Sequence, residues 1–336
     1  MVVGAGIQSL GPGAAGAIVD TAHRLGFGSA WTVEGRGFEA FGFLGAAGQR
    51  NPGLDLGTGI SPAPLRPPTL AAMAASTLQA TDPSRTVWLG LGTSSPVVAG
   101  DWHGATYGPQ PVARLREYVT VVRRAMGGDR VTFDGRFYTI RRFRLEPSVR
   151  CDPPPRVVLA ALNPTMVATA GELADGVLLN ALPLSVAADV VERAVAAGNN
   201  DVFGFVHVGV SASSEGLSAG RPDGLSDGLS EGREVARRSI ASEIRSAAYA
   251  RFLTAAGYGT VVAQVRDLQA TAGQSASAAA VPDEMCDDIF CFGAPDAARA
   301  FVDGYERAGL IPVVMPEVLD GRDASDVEAT LEAVAP

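Results

Sequence analysis

Short apolar runs of strand length recur along the chain, each followed by a longer stretch with apolar residues at helical spacing. Val2–Gln8 predicts a first strand, and Ala14, Ala15, Ile18, Val19, Ala22 and Leu25 then fall on one helical stripe that stops at Gly26. Ser29–Val33 predicts a second strand, with a helix behind it carrying Phe38, Phe41 and Leu44. Leu54–Ile60 and Val87–Gly92 predict the third and fourth. Pro68–Gln79 is the helix between them, its proline suited to a first turn. In Pro111–Met126, Val112, Leu115, Val119, Val122 and Met126 share one face, closed by Gly127. Val131–Leu145 breaks the rhythm and predicts a hairpin turning at Asp134-Gly135.

The alternation then resumes. Val157–Leu162 predicts a fifth strand with Pro164–Leu173 behind it, and Val177–Leu182 a sixth. The sixth is followed by a helix over Ser185–Ala197 with Ser185 as its N-cap. Val202–Val210 is a seventh, Ile311–Met315 an eighth, and Asp323–Val334 a last helix. Eight such units with near-continuous apolar strands predict an α/β fold, a (β/α)8 TIM barrel. A doubly wound sheet would want G-x-G-x-x-G after its first strand, and GAGIQSLGPG does not supply it. The whole chain, residues 1–336, reads as a single domain. Residues 211–310 form a long insertion between strands seven and eight, either a lid over the substrate or a surface excursion or dimer contact. Within it, Glu234–Ala256 and Asp296–Ala308 read as helical, and the Gly-, Ser- and Asp-rich stretch 215–232 is expected to be mobile.

Composition narrows the chemistry. The 27 basic residues are all Arg, and there is no Lys, which excludes Schiff-base enzymes and the P-loop lysine. A net charge of −9 argues against nucleic-acid binding, and no run of 18 uninterrupted apolar residues suggests a membrane span. The N-terminal MVVGAGIQSL lacks a basic n-region. With Cys151, Cys286 and Cys291 scattered and no His near them, reduced thiols in a cytoplasmic protein are expected, rather than a disulfide framework or a metal centre.

Barrel sites lie beyond the C-terminal ends of the strands. There the chain reads GTGISPAP after strand three, GTSSPVVAGDWHG after strand four and AALNPTM after strand five. Small and hydroxyl-bearing residues next to helix starts at one barrel end suit a phosphorylated ligand. His103 is the one His near such a loop. His23, on a helix, and His207, within strand seven, read as packing residues. Trp102 reads as a hydrophobic wall, and Arg114 and Arg116 as anion-tail ligands or solvated surface.

These stretches resemble the bacterial luciferase-like superfamily, within it the coenzyme F420-dependent oxidoreductases. The resemblance is carried by LDLGTGISP at 54–62, WLGLGTSSPVVAGDWHG at 88–104 and PVARLREYVTVVRRAMGGDRVTFDGRFY at 111–138. It continues in PPRVVLAALNPTMVATAGELADGVLLNALP at 154–183 and FGAPDAARAFVDGYERAGLIPVVMP at 292–316. It implies a deazaflavin across the barrel mouth and hydride transfer to or from a small organic substrate, with the cofactor carrying the chemistry. It also implies a homodimer, and a non-proline cis peptide at Gly59–Ile60 whose bulge supports the cofactor ring. Thr93, Ser94, Ala160, Ala161, Leu162 and Asn163 would lie near its phosphate. Many deazaflavin members carry an acidic residue followed by His after strand two; here Glu34-Gly35-Arg36 stands there, without the His. Glu34 and His103 are therefore the two candidates for the proton step. The alternative within the superfamily is an FMN-dependent monooxygenase, in which reduced flavin activates oxygen, and a third reading is a barrel that binds a flavin or partner without turnover.

Overall fold

The computed structural model describes residues 2–3, 5–199, 201–210, 223–319 and 324–336. It divides into two compact units, one of residues 2–178 and 194–201, the other of residues 179–193 and 202–336.

The first unit is built on parallel strands: β1 (Val2–Val3), β2 (Ser29–Thr32), β3 (Asp55–Thr58), β4 (Ser61–Pro62) and β5 (Val87–Gly92). A separate antiparallel pair, β6 (Val131–Asp134) and β7 (Thr139–Phe143), precedes β8 (Arg156–Ala160) and β9 (Gly176–Leu179). The parallel order is β1-β2-β3-β5-β8-β9, with β4 continuing beside β5. Registers are tight: Thr32 pairs with Thr58, and Leu91 with Leu159. All six residues of β5 are buried, as a strand covered on both faces should be. The helix Pro111–Met126 buries Leu115, Val119, Val122 and Met126 of the predicted stripe, leaves Val112 only half-buried, and adds Tyr118, Val121 and Ala125.

The second unit holds β10 (Asp201–Val210 by hydrogen bonding), β11 (Phe290–Gly293) and β12 (Ile311–Pro316). β10 pairs in parallel with both others, Phe203 opposite Ile311 and His207 opposite Phe290. A core of Ile240, Ile244, Leu253, Val265, Met285 and Phe290 joins the helices of the 202–336 segment to these strands.

Several boundaries differ from the predicted ones. The first strand ends at Val3, and Ala5–Gln8 coils into a helical turn, where the Gln8 amide donates to the Val33 carbonyl at 2.9 Å. Ser185 does not cap its helix. Its N–H and hydroxyl both donate to the Asp288 carboxylate, so the cap comes from another segment. The stretch between the seventh and eighth strands contributes β11, which sequence reading passes over because FCFG is short and abuts a helix, Asp283–Ile289. It also holds the helices Asp223–Ile244, Ala247–Leu253, Gly259–Thr271 and Gly273–Ala279. Of the 215–232 stretch, residues 215–222 lie outside the described residues and 223–232 lie within the first of these helices.

Candidate functional site

In the first unit, parallel pairing puts the C-terminal ends of β2, β3, β5 and β8 at one edge, and the loops that follow hold the predicted site residues. The ladder runs past the strand ends: Gly59 N–H donates to the Thr32 carbonyl at 2.8 Å, and Glu34 N–H donates to the Ile60 carbonyl at 3.3 Å. The Gly59–Ile60 peptide bond is cis. The side chain of Ile60 then lies over Gly92. A Cβ at Gly92 would stand 2.5 Å from Ile60 Cδ1 and 3.3 Å from the Ala160 Cβ, so a glycine here lets Ile60 and Ala160 converge. Ala161 is buried and donates its N–H to the Leu178 carbonyl, while Leu162 is half-buried.

Glu34 is held from several sides. Ser61 Oγ donates to Oε2 at 2.8 Å, Arg66 donates to Oε1, and the Ala40 N–H approaches Oε1 at 3.4 Å. Its side chain is 8% exposed and that of Arg66 18%. Arg66 also pairs with the exposed Glu39 and stacks over Phe41 at 4.8 Å. Every partner of Glu34 is a donor, so the carboxyl serves as a fixed acceptor joining the β2 and β3 loops. Tyr118 lies within electrostatic reach of this pair; burial pushes its phenol up, and its hydroxyl has no hydrogen-bond partner among the described residues.

After β5, Thr93 lines a small cleft with Ala63, Pro64, Tyr107, Pro111, Arg114 and Leu115. Thr93 Oγ1 makes only a 3.4 Å contact with the Ser94 carbonyl, and that carbonyl accepts from the Tyr107 hydroxyl at 3.3 Å. Ser94 sits at φ +58°. Arg114 stacks over Phe137 at 4.9 Å, and its buried Nε has no partner among the described residues. The other predicted arginine, Arg116, is committed to Glu172 and Thr169.

Asn163 caps the helix Pro164–Leu173, its side chain accepting from Met166 N–H at 3.0 Å. His103 is exposed at the end of a wide helical turn, Val97–Trp102, and its Nε2 donates to the Gly35 carbonyl at 2.6 Å. Arg36 lies over the Trp102 ring at 5.6 Å, a second tie between that turn and the β2 loop. The structure therefore brings Glu34 together with Ile60, and Ile60 with Ala160. It sets Thr93 and Ser94 beside Arg114 and Tyr107, and gives Asn163 a capping bond and His103 a backbone one.

The family model for luciferase-like monooxygenases matches residues 3–310. The chain belongs to this family. A putative coenzyme F420-dependent oxidoreductase of Mycobacterium tuberculosis is 34% identical over 172 residues, 47% of this chain and 48% of the relative. The chain thus spans about half the length of the curated relatives it matches. Among solved structures, the coenzyme F420-dependent tetrahydromethanopterin reductase from Methanopyrus kandleri superposes with a TM-score of 0.74. That match has 20% identity and covers 96% of this chain and 94% of that one. A type II Baeyer–Villiger monooxygenase from Pseudomonas putida, in complex with FMN, superposes at 0.64 and 15% identity, covering 98% and 91%. These likenesses show the α/β fold class of the luciferase-like enzymes, the (β/α)8 class that the strand–helix count predicts.

Sequence reading missed Arg66, Ser61, Tyr107 and Tyr118. Arg66 and Ser61 stand in the loop after the third strand, where barrel logic places function. Tyr118 reads from sequence as one more core aromatic on its helix.

Proposed function

We infer that the chain is an oxidoreductase that uses coenzyme F420 to move a hydride to or from a small organic substrate. The observation that carries this reading is the apolar shelf where Ile60 meets Gly92 and Ala160 at the C-terminal edge of β3, β5 and β8. A flat ring needs such a support, and the glycine leaves space that any side chain would take. The polar surroundings also fit. Thr93 and Arg114 line one cleft, which suits an anionic group.

A bound deazaflavin supplies the hydride donor or acceptor. Gly59, Ile60 and Ala160 would hold its ring system, and Thr93, Ser94, Ala161, Leu162 and Asn163 its phosphorylated tail. The protein's own residues orient and exclude water. Glu34, with both carboxyl oxygens engaged, fixes the two loops that carry Ile60. His103 keeps Nδ1 without a protein partner among the described residues, so it is the better placed of the two to exchange a proton.

The FMN-bound relative favours a second reading, a flavin-dependent monooxygenase. Titrating the purified protein with F420 and, separately, with FMN at fixed salt, following cofactor fluorescence, decides between them. Binding of F420 at least about tenfold tighter than FMN supports the hydride-transfer reading. Tighter binding of FMN, or binding of neither, overturns it.

A further inference from the structure

The second unit contains a chain of polar side chains that the reading above does not use. His207, 7% exposed in a strand otherwise apolar, lies 4.5 Å from the Phe290 ring, so it does pack. Both of its ring nitrogens nevertheless meet polar partners. Nδ1 is 2.7 Å from Glu317 Oε1, and Nε2 is 3.0 Å from Asn180 Oδ1. Asn180 in turn donates from Nδ2 to the Tyr249 hydroxyl oxygen at 2.8 Å. The bonds thus run without a break from Glu317, one residue past β12, through His207 on β10 and Asn180, one residue past β9, to Tyr249 on the helix Ala247–Leu253.

The donors and acceptors on these four side chains restrict how the bonds can run. An ionised Glu317 only accepts, so the ring keeps a proton on Nδ1. With Asn180 Oδ1 facing it, Nε2 carries a proton as well, and His207 is an imidazolium. Asn180 Nδ2 then donates to Tyr249, whose own O–H is left to donate away from the chain. Removing the Nε2 proton turns that nitrogen into an acceptor, which cannot face an amide oxygen. A half turn of the Asn180 amide restores the bond, because Nδ2 then donates to Nε2. The same turn brings Oδ1 to Tyr249, whose O–H now donates inward. Every bond of the chain survives in both arrangements, so neither leaves a buried polar group unpaired. We propose that Glu317, His207, Asn180 and Tyr249 form a one-proton switch, in which the charge on His207 sets whether the Tyr249 hydroxyl donates outward or inward. The titratable groups that bear on His207 are Glu317, Tyr249 and Glu243, the last on the helix Asp223–Ile244. β11 and β12 set the apolar Phe290 and Met315 opposite it.

The test uses the full chain with neither F420 nor FMN added, so it stands apart from the cofactor question. The protein is labelled with 15N in its histidine rings and 13C at tyrosine Cζ, and is followed by NMR between about pH 5 and pH 9. His23→Gln and His103→Gln assign the other two histidines, and Tyr249→Phe assigns the Tyr249 signal. As the pH rises, Nε2 of His207 is expected to lose its proton while Nδ1 keeps its own, and the Tyr249 Cζ signal to shift with the same midpoint. In Asn180→Ala, His207 still titrates and the Tyr249 shift at that midpoint is lost. In Glu243→Gln both responses persist, which separates the switch from titration of that carboxyl. A His207 with one protonation state throughout, a proton lost from Nδ1, or a Tyr249 signal that does not follow His207 overturns the proposal, and the native protein alone shows each of these. A Tyr249 response that survives Asn180→Ala, or that vanishes in Glu243→Gln, overturns it too.

Discussion

Replacing Glu34 by Gln keeps the side-chain shape and removes its charge, which isolates what the Arg66 pairing contributes. Both partners are largely buried, so the Coulomb term is weakly screened. Gln keeps a neutral oxygen for Arg66 but turns an NH2 group toward the Ser61 hydroxyl, which must rotate to accept instead of donate. A hydrogen bond to a charged group contributes about 1.5–3 kcal/mol, and breaking a fully buried ion pair costs about 3–5 kcal/mol. Glu39 stays on Arg66 and offsets part of that loss. The expected loss in urea unfolding is therefore about 2–3 kcal/mol. Arg66→Met supplies the other edge of a double-mutant cycle. The double variant should be more stable than the sum of the single losses predicts, by about 1–3 kcal/mol, because it leaves no buried charge unpaired. A loss below about 0.5 kcal/mol for Glu34→Gln, or simple additivity in the cycle, would refute the claim that this pair fixes the two loops.

Gly92→Ala drives a Cβ to within 2.5 Å of Ile60 Cδ1, so Ile60 must leave the shelf. F420 affinity should fall at least about tenfold in fluorescence titration, while urea unfolding shows an overpacking loss of about 1–3 kcal/mol. Asn163→Ala removes a helix cap and should cost about 1 kcal/mol; unchanged F420 affinity in that variant would confine Asn163 to its capping role. Burial pushes the Cys286 and Cys291 thiols up to about 12 and about 11. A chromogenic disulfide reagent at about pH 8 should accordingly modify them far more slowly in the native protein than in urea, and equal rates would contradict that burial. Glu243 is raised from 4.5 to about 7, so the native state holds its proton longer than the unfolded chain does. Its contribution to stability is full below about pH 4.5 and is lost as the pH rises to about 7. In urea unfolding at a series of pH values, Glu243→Gln should flatten that part of the profile, and an unchanged slope would show that Glu243 does not titrate there.

Much of the fold was legible because parallel strands write themselves as uninterrupted apolar runs. Val87–Gly92 was delimited from sequence alone, and the hairpin was found, but its turn spans 135–138 instead of Asp134-Gly135, because Asp134 pairs with Thr139 and the Gly135 N–H donates to the Tyr138 carbonyl. Ends were harder, since a strand's end is decided by what its polar groups find elsewhere. Gln8 reaches a carbonyl 25 residues away, and Asp288 reaches Ser185 across 103. The network around His207 was illegible for the same reason. Its Glu317 partner is 110 residues distant, and nothing local distinguishes a histidine that only packs from one that packs and hydrogen-bonds.

The site residues chosen from sequence share a geometric cause. Thr32 pairs with Thr58, so Glu34 and Ile60, each two residues further on, are neighbours by register, and the Glu34 N–H bond to the Ile60 carbonyl continues the same ladder. Leu91 pairs with Leu159, so Thr93 and Ala161 follow at equal distance beyond β5 and β8. Parallel strands thus convert "two residues past the strand" into a spatial statement, which antiparallel strands do not, because their ends alternate. Arg66 falls outside that rule. It stands eight residues past the end of β3, and it reaches Glu34 only because the chain turns through Ala63–Leu65 and sends its guanidinium back to the loop it left. Register explains why the shelf and the loops after β5 and β8 could be picked out in advance. The long side chain on a returning loop explains why the group that holds Glu34 in place could not.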